Sequence, residues 1–353
     1  VSLISKIQSM KKSNLKILVL FFVLIAATSW AGVLYRIDGI MTINENKVFF
    51  QASNATTYLL DIKLDTAKKY EGKTVQIDAV GEDATKVYCL KVKKIRLFDK
   101  RISPRGEGDF KAYQKPARVI YNDKGIVKVA GVRCGRQPGS NKDNPKFNWR
   151  TVTIKPELIK EVFFIKKPFP PEWIAAHCLM FFQFEKGGCY DHHGNPLAGI
   201  VLTIEAYQRE SQSYSLVKGL QNEFEIIWIL TSWKDYVLES CKYGDYKLVP
   251  YKVLFDHEQK QNLLMEALKQ SSVNRRGEYY HTTRNNCTNN LVILMNKFSE
   301  KKVRFWILPS MIYNVRATMP TMVPSYLIGK GMISKALRTI DKTNYLQYIG
   351  GKE

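Results

Sequence analysis

The chain of 353 residues is 45% hydrophobic and 12% aromatic, enough apolar material for two ordinary cores and too much for a mainly disordered chain. Its 54 Lys+Arg against 32 Asp+Glu give a formal charge of +22, which points to an anionic partner such as membrane lipid or nucleic acid. Six cysteines are too few for a disulfide scaffold and no Cys-x-x-Cys spacing suggests structural zinc; with this composition, collagen, coiled coil and small knotted toxin are excluded.

From Met10, Lys11, Lys12 and Lys16 precede an apolar run from Ile17 through Ala27, and Ser29-Trp30-Ala31 supplies small residues for cleavage. That order predicts a Sec-type signal peptide over 10–31 rather than a retained anchor, since the run is short for a span of about 20 residues. Removing residues 1–31 takes four lysines and no acid, so the mature protein stays strongly basic. Export demotes nucleic acid, which is not expected as a partner, and favours an anionic membrane face or a glycan. The expected location is the periplasm or another extracytoplasmic site, peripheral to a membrane.

Residues 32–98 carry five strand-like runs: YRIDGIMTI, KVFFQA, TYLLDI, TVQIDAV and YCLKVKKIRLF. LDTAKKYEG stands between the third and fourth, and three strands, a short helix and two more strands is the order of an OB-like β-barrel. The stretch 91–150 holds 17 Lys+Arg and 5 Asp+Glu. Within it, 99–145 reads as a basic linker with a hairpin. Its charge fits an anionic membrane surface, where each basic residue contributes about 1 kcal/mol.

Beyond 145 the runs TVTIKPELIKEVFFIKK, HCLMFFQFE, GIVLTIEAY, FEIIWILTSW and KLVPYKVL predict successive strands. DHEQKQNLLMEALKQSS predicts a helix with Asp256 and Gln259 as a capping box and Leu263, Leu264, Ala267 and Leu268 as its buried stripe. A second helix follows GEYYHTTRNN, with Cys287 in its first turn and Leu291, Leu294 and Met295 facing inward. The expected fold class is therefore α+β.

A cysteine at a helix start invites a nucleophile hypothesis, because unpaired N–H groups and the helix dipole stabilise a thiolate. A base is needed as well. His257 opens an exposed helix, His192 and His193 lie in a turn, and His281 sits in the connector either near Cys287 or at the surface. His177 begins a buried strand that a helix can pack against, so His177 with Cys287 is the catalytic candidate; a core histidine and an inert buried cysteine is the alternative reading. Cys189, Asp191, His192 and His193 crowd one turn and do not readily surround a metal ion. No phosphate loop, zinc-protease helix or dinucleotide fingerprint is present, so neither metal nor cofactor is expected.

The blocks HCLMFFQFEKG, GIVLTIEAYQRESQSYSLVKGL, NEFEIIWIL, YYHTTRNNCTNNLV and VPSYLIGKGMI, in this order and spacing, resemble the periplasmic domain of the Lnb-type bacterial lipoprotein N-acyltransferase family over about 146–333. The resemblance implies a circularly permuted papain-like (NlpC-type) fold in which the histidine strand precedes the cysteine helix. It implies Cys287 as nucleophile, His177 as general base and Glu205 as the group orienting the imidazole. Asn286 is an oxyanion candidate or a helix cap, and Arg209, Ser213 and Tyr214 either shape the site or brace a strand corner. The implied substrates are lipoprotein, phospholipid or other acyl or peptide groups of the envelope, through a thioester. A non-catalytic lipid- or glycan-binding protein and a peptidoglycan-peptide hydrolase are the rival functions. Family members join this domain to a membrane bundle, and the tail 334–353 contains no span, so peripheral docking on lipid is expected.

Overall fold

Alternating apolar residues from Val33 onward close into a barrel. The computed structural model describes residues 33–52, 57–81, 89–98, 110–140, 145–307 and 312–349; the expected signal peptide at 10–31 lies outside them. The barrel strands are β1 (Val33–Asn44), β2 (Lys47–Ala52), β3 (Thr57–Asp61), β4 (Thr74–Gly81) and β5 (Cys89–Leu97), with helix α1 (Leu64–Lys68) between β3 and β4. Their order is β1-β2-β3-β5-β4, closing on β1. Tyr35, Ile37, Met41, Phe50, Val75, Ile77 and Leu90 point inward and are fully buried. The β1–β2 turn uses Glu45 and Asn46 at φ 48° and 63°, the left-handed pair that a tight hairpin requires.

The larger sheet combines β6 (Arg118–Asp123), β7 (Ile126–Arg136), β8 (Phe147–Ile154), β9 (Ile159–Pro168), β10 (Ala176–Phe184), β11 (Cys189–Asp191), β12 (Gly199–Tyr207), β13 (Glu225–Ser232) and β14 (Val249–Lys252). Its order is β11-β8-β7-β13-β12-β10-β9-β14, with β6 paired to β7. The hairpin expected in the basic stretch is thus β6–β7, and β7 runs inside the sheet, parallel to β13.

Helices cover both faces. Helices α2 (Leu216–Leu220), α3 (Trp233–Val237) with a π turn at Leu238–Tyr243, α4 (His257–Ser271), α5 (Cys287–Phe298) and α6 (Val323–Gly329) follow in chain order. A minor hairpin of β15 (Trp306–Ile307) and β16 (Ile312–Tyr313) precedes α6. The even-numbered residues Cys178, Met180 and Phe182 of β10 join Ile200, Leu202 and Ile204 of β12 under α4 and α5. The odd-numbered Leu179, Phe181 and Val201 pack under Trp233, Tyr236 and Val237 instead. The tail seals this second face: Ile340 is buried and the Trp233 indole N–H donates to the Tyr348 carbonyl at 2.9 Å. The capping box on α4 and the buried stripe from Leu263 to Leu268 match the sequence pattern. The sequence pattern does not foretell α2, α3 or the π turn, since five-residue helices show too little periodicity.

The barrel leans on the loop before α5. Tyr35 bridges Glu278, and the Arg36 N–H donates to the Gly277 carbonyl at 3.0 Å. Gly277 has φ +80°, and a Cβ there would lie 2.4 Å from the Arg36 carbonyl oxygen, so only glycine fits.

Asp191 anchors the turn that carries His192 and His193. It accepts from the His193 and Asn195 main chains at 2.9 Å each, from the Asn195 side chain at 3.0 Å and from Arg150. Burial alone would raise its carboxyl pKa, but these donors hold it down to about 2. The group therefore stabilises the fold above the ordinary carboxylate value of about 3.9, and that stabilisation fades as pH falls toward 2. Asp191→Ala is expected to cost about 2 kcal/mol in urea unfolding at neutral pH, with the gap to the parent closing as the titration is taken below pH 4.

Candidate active site

Helix α5 begins where asparagines leave the chain no choice. Asn286 caps it: its side-chain oxygen accepts from the Asn289 N–H at 2.9 Å, and the Asn289 side chain accepts from the Asn286 N–H at 3.0 Å. The Asn285 amide donates to Glu278 and to the Tyr279 carbonyl, both at 3.0 Å, and Asn290 donates to Asn285 at 2.9 Å. Asn286 gives its own amide hydrogens to the Thr282 and Thr318 carbonyls. Its side chain is fully engaged and acts as the cap, not as an oxyanion donor. The Cys287 N–H, in the first turn, has no intrahelical carbonyl to meet and remains as the donor at this spot.

Cys287 is buried and faces His177. The β10–β12 pairing stops at Leu179↔Thr203, two residues short of His177. In the space beyond, His177 Nε2 lies 2.6 Å from Thr203 Oγ1, and the Thr203 hydroxyl donates to Glu205 Oε1 at 3.0 Å. Gln114 donates to the other Glu205 oxygen at 2.9 Å and to the Ala206 carbonyl at 3.0 Å. Glu205, expected to orient the imidazole, therefore reaches it through Thr203. Nε2 is occupied, which leaves Nδ1 for the sulfur.

The electrostatics oppose burial at this pair. Burial penalises the Cys287 thiolate, but the facing His177 imidazolium, the Cys178 main-chain N–H and the Thr288 hydroxyl outweigh it and lower the thiol pKa. Burial likewise penalises the imidazolium, and Cys287, with a smaller contribution from Glu205, raises the His177 pKa against it. The other buried thiols move the opposite way. Burial pushes Cys134 and Cys241 up to about 12, and Cys178 and Cys189 also rise. All six cysteines are free.

A cavity of about 570 Å³ opens onto the pair. Glu205 and Tyr214 line it with them, and Tyr214 packs edge-on to Tyr280 at 6.0 Å between ring centroids. Arg209 lies apart, its guanidinium 4.6 Å over the Phe110 ring, where it braces the corner after β12; Ser213 is exposed and outside the cavity lining. His281 is 1% exposed, which removes the surface reading. Burial and Arg284 drop its pKa to about 4, so it stays neutral, accepts from Thr283 and ties the loop together. His257, His192 and His193 are exposed. Among the described residues no cluster of His, Cys, Asp and Glu is arranged to hold a metal.

Thr203 and Gln114 are the members of the site that the sequence does not announce. Thr203 has one signal, a hydroxyl two residues before Glu205 in an otherwise apolar strand. Gln114 has none, because only the fold brings it across 91 residues.

A helix-start thiol, a strand imidazole and a hydroxyl-linked carboxylate around one cavity define a mixed α+β domain with a paired Cys–His centre. Residues 146–318 match the family described as the Lnb N-terminal periplasmic domain, so this part of the chain is similar to that family. The match stops before the 319–333 segment that the sequence resemblance includes. No curated protein and no solved structure is detectably similar to the chain. No helix among the described residues is long and apolar enough to cross a membrane.

Thr203→Val keeps the shape and removes the link to Glu205. It is expected to slow iodoacetamide alkylation of Cys287 at pH 6.5 by about tenfold while leaving the unfolding midpoint within a few degrees of the parent's. Peptide mass mapping of the alkylated cysteine gives the rate.

Proposed function

We propose that the chain is a cysteine-dependent acyltransferase or hydrolase of the cell envelope, acting through a thioester on Cys287. The observation that carries this reading is the lowered Cys287 thiol facing a raised His177 at the floor of an open cavity. In the first half-reaction the thiolate attacks the acyl carbonyl, the C–S bond forms, and the Cys287 N–H supports the oxyanion. As the C–O or C–N bond breaks, His177 gives its proton to the leaving group. In the second half, His177 takes a proton from the acceptor amine or water as that group attacks the thioester, and the thiolate is released. Thr203 holds the imidazole plane and Glu205, through it, favours the imidazolium.

The family match supports an envelope substrate, and we read the domain as the circularly permuted papain-like fold with an OB-like barrel before it. The acyl group is proposed to come from lipoprotein or phospholipid. Several cations of the basic stretch serve the fold: Arg96, Arg133, Arg136 and Arg150 pair with Asp78, Asp235, Glu239 and Asp191. Lys115, Arg118, Lys124 and Lys128 are exposed beside Ile120 and Tyr121. We assign these to docking on an anionic membrane face, so flotation with anionic vesicles is expected to weaken as salt rises.

The decisive test is chemical trapping. Incubated with an activated fatty-acyl ester and quenched in mild acid, the parent should gain one acyl mass on the peptide containing Cys287, and Cys287→Ser should lose turnover by at least about 10³-fold. Undiminished lipid binding with no acylation in the parent would leave a non-catalytic binding protein. Cleavage of cell-wall peptides without acylation by lipid esters would make it a peptidoglycan hydrolase.

A further inference from the structure

Among the described residues the cavity contains one lysine that makes no ion pair with a carboxylate. Lys167 on β9 stands directly opposite His177 in the β9–β10 register, so both side chains leave the same face of the sheet, and both line the cavity. The two arginines of the cavity wall are matched: Arg133 to Asp235 at 2.7 Å, and Arg136 to both oxygens of Glu239 at 2.7 and 2.9 Å. Glu205 is hydrogen-bonded by Thr203 and Gln114, and its charge favours the Lys167 ammonium from beyond ion-pair distance. Lys167 instead has its ammonium 4.5 Å from the Tyr246 ring centroid and 5.4 Å from that of Tyr236, with no carboxylate within ion-pair distance among the described residues.

Aromatic faces attract an ammonium but do not replace its lost hydration. Burial accordingly lowers the Lys167 pKa to about 8, which still leaves most of the population charged at neutral pH. The rest of the wall around it is largely apolar: Phe169, Ile174, Ala175 and Met319. Against these four residues a peptide backbone would find no hydrogen-bonding side chain. An acyl ester bearing a single negative charge a few bonds from its carbonyl matches both the apolar wall and the lone ammonium.

We propose that Lys167 binds the phosphodiester of the acyl donor, so that the cavity selects glycerophospholipids and sets their ester carbonyl against Cys287. This rests on the acyl-transfer reading of Cys287 but is tested without turnover. Binding is measured by calorimetry on the full chain carrying Cys287→Ala. The ligands are a short-chain dialkyl-ether phosphatidylglycerol below its micellar concentration, the uncharged dialkylglycerol, glycerophosphoglycerol, and a peptide ending in D-Ala-D-Ala. The ether phospholipid is expected to bind at least tenfold more tightly than the other three. Adding Lys167→Met should erase that preference, and Lys167→Arg should keep most of it. The Met variant should also melt at a higher temperature, because a buried unpaired ammonium has been removed. Equal binding by the Met variant, equal binding of the uncharged lipid or of the chain-free phosphodiester, or preference for the peptide would overturn the assignment. Absence of a Cys287 acyl adduct in the parent, with Lys167-dependent lipid binding intact, would instead count against acyl transfer alone.

Discussion

The Cys287 sulfur and the His177 imidazole, each of which burial alone would hold neutral, face one another between β10 and the start of α5, and each shifts the other toward its charged form. In a medium of low polarity a lone thiolate or a lone imidazolium is strongly disfavoured, so the two charges exist together or not at all. Their mutual attraction separates Cys287 from the three other buried thiols and the half-buried Cys134, which burial drives upward. Position in the fold, more than the identity of the atom, sets the Cys287 thiol apart from the others.

Keeping such a pair in register demands rigidity on both sides, and the chain supplies it by different means. On the cysteine side, short polar side chains of the RNNCTNN segment fix a loop that carries no regular structure of its own until α5 begins. The barrel presses on that loop through Arg36 and Gly277, so the first unit contributes to the geometry of the second. On the histidine side the strands do the work. β10 and β12 separate past Leu179, and the Thr203 hydroxyl there accepts from the imidazole Nε2–H while donating its own hydrogen to Glu205. Glu205 then needs no close approach to a ring it would overstabilise as a cation.

Much of this was readable from residue order. Period-two alternation located the strands, the helix between the third and fourth barrel strands fell at LDTAK, and Asp256 with Gln259 marked the start of α4. Cys287 and His177 stood out because a thiol at a helix start and a histidine at the edge of an apolar strand are chemically legible. What stayed hidden depends on distance along the chain. Gln114 meets Glu205 only after β7 threads into the sheet between β8 and β13, and no local pattern encodes that. His281 looked free to sit at the surface because its neighbours are polar, yet those same polar neighbours satisfy one another and bury it. Arg209 followed the same logic in reverse: a polar residue beside the site sequence turned out to stack on Phe110 outside the cavity.

The charge state of the sulfur is the point on which the account stands, and it is directly visible as the ultraviolet absorbance of the thiolate. A difference titration of the parent against Cys287→Ser, repeated in a His177→Ala background, isolates that one group. The account requires thiolate absorbance to develop below the ordinary thiol value of about 8.5 in the parent and only above that value once His177 is gone. A parent whose Cys287 ionises at or above that ordinary value, with or without His177, would contradict it.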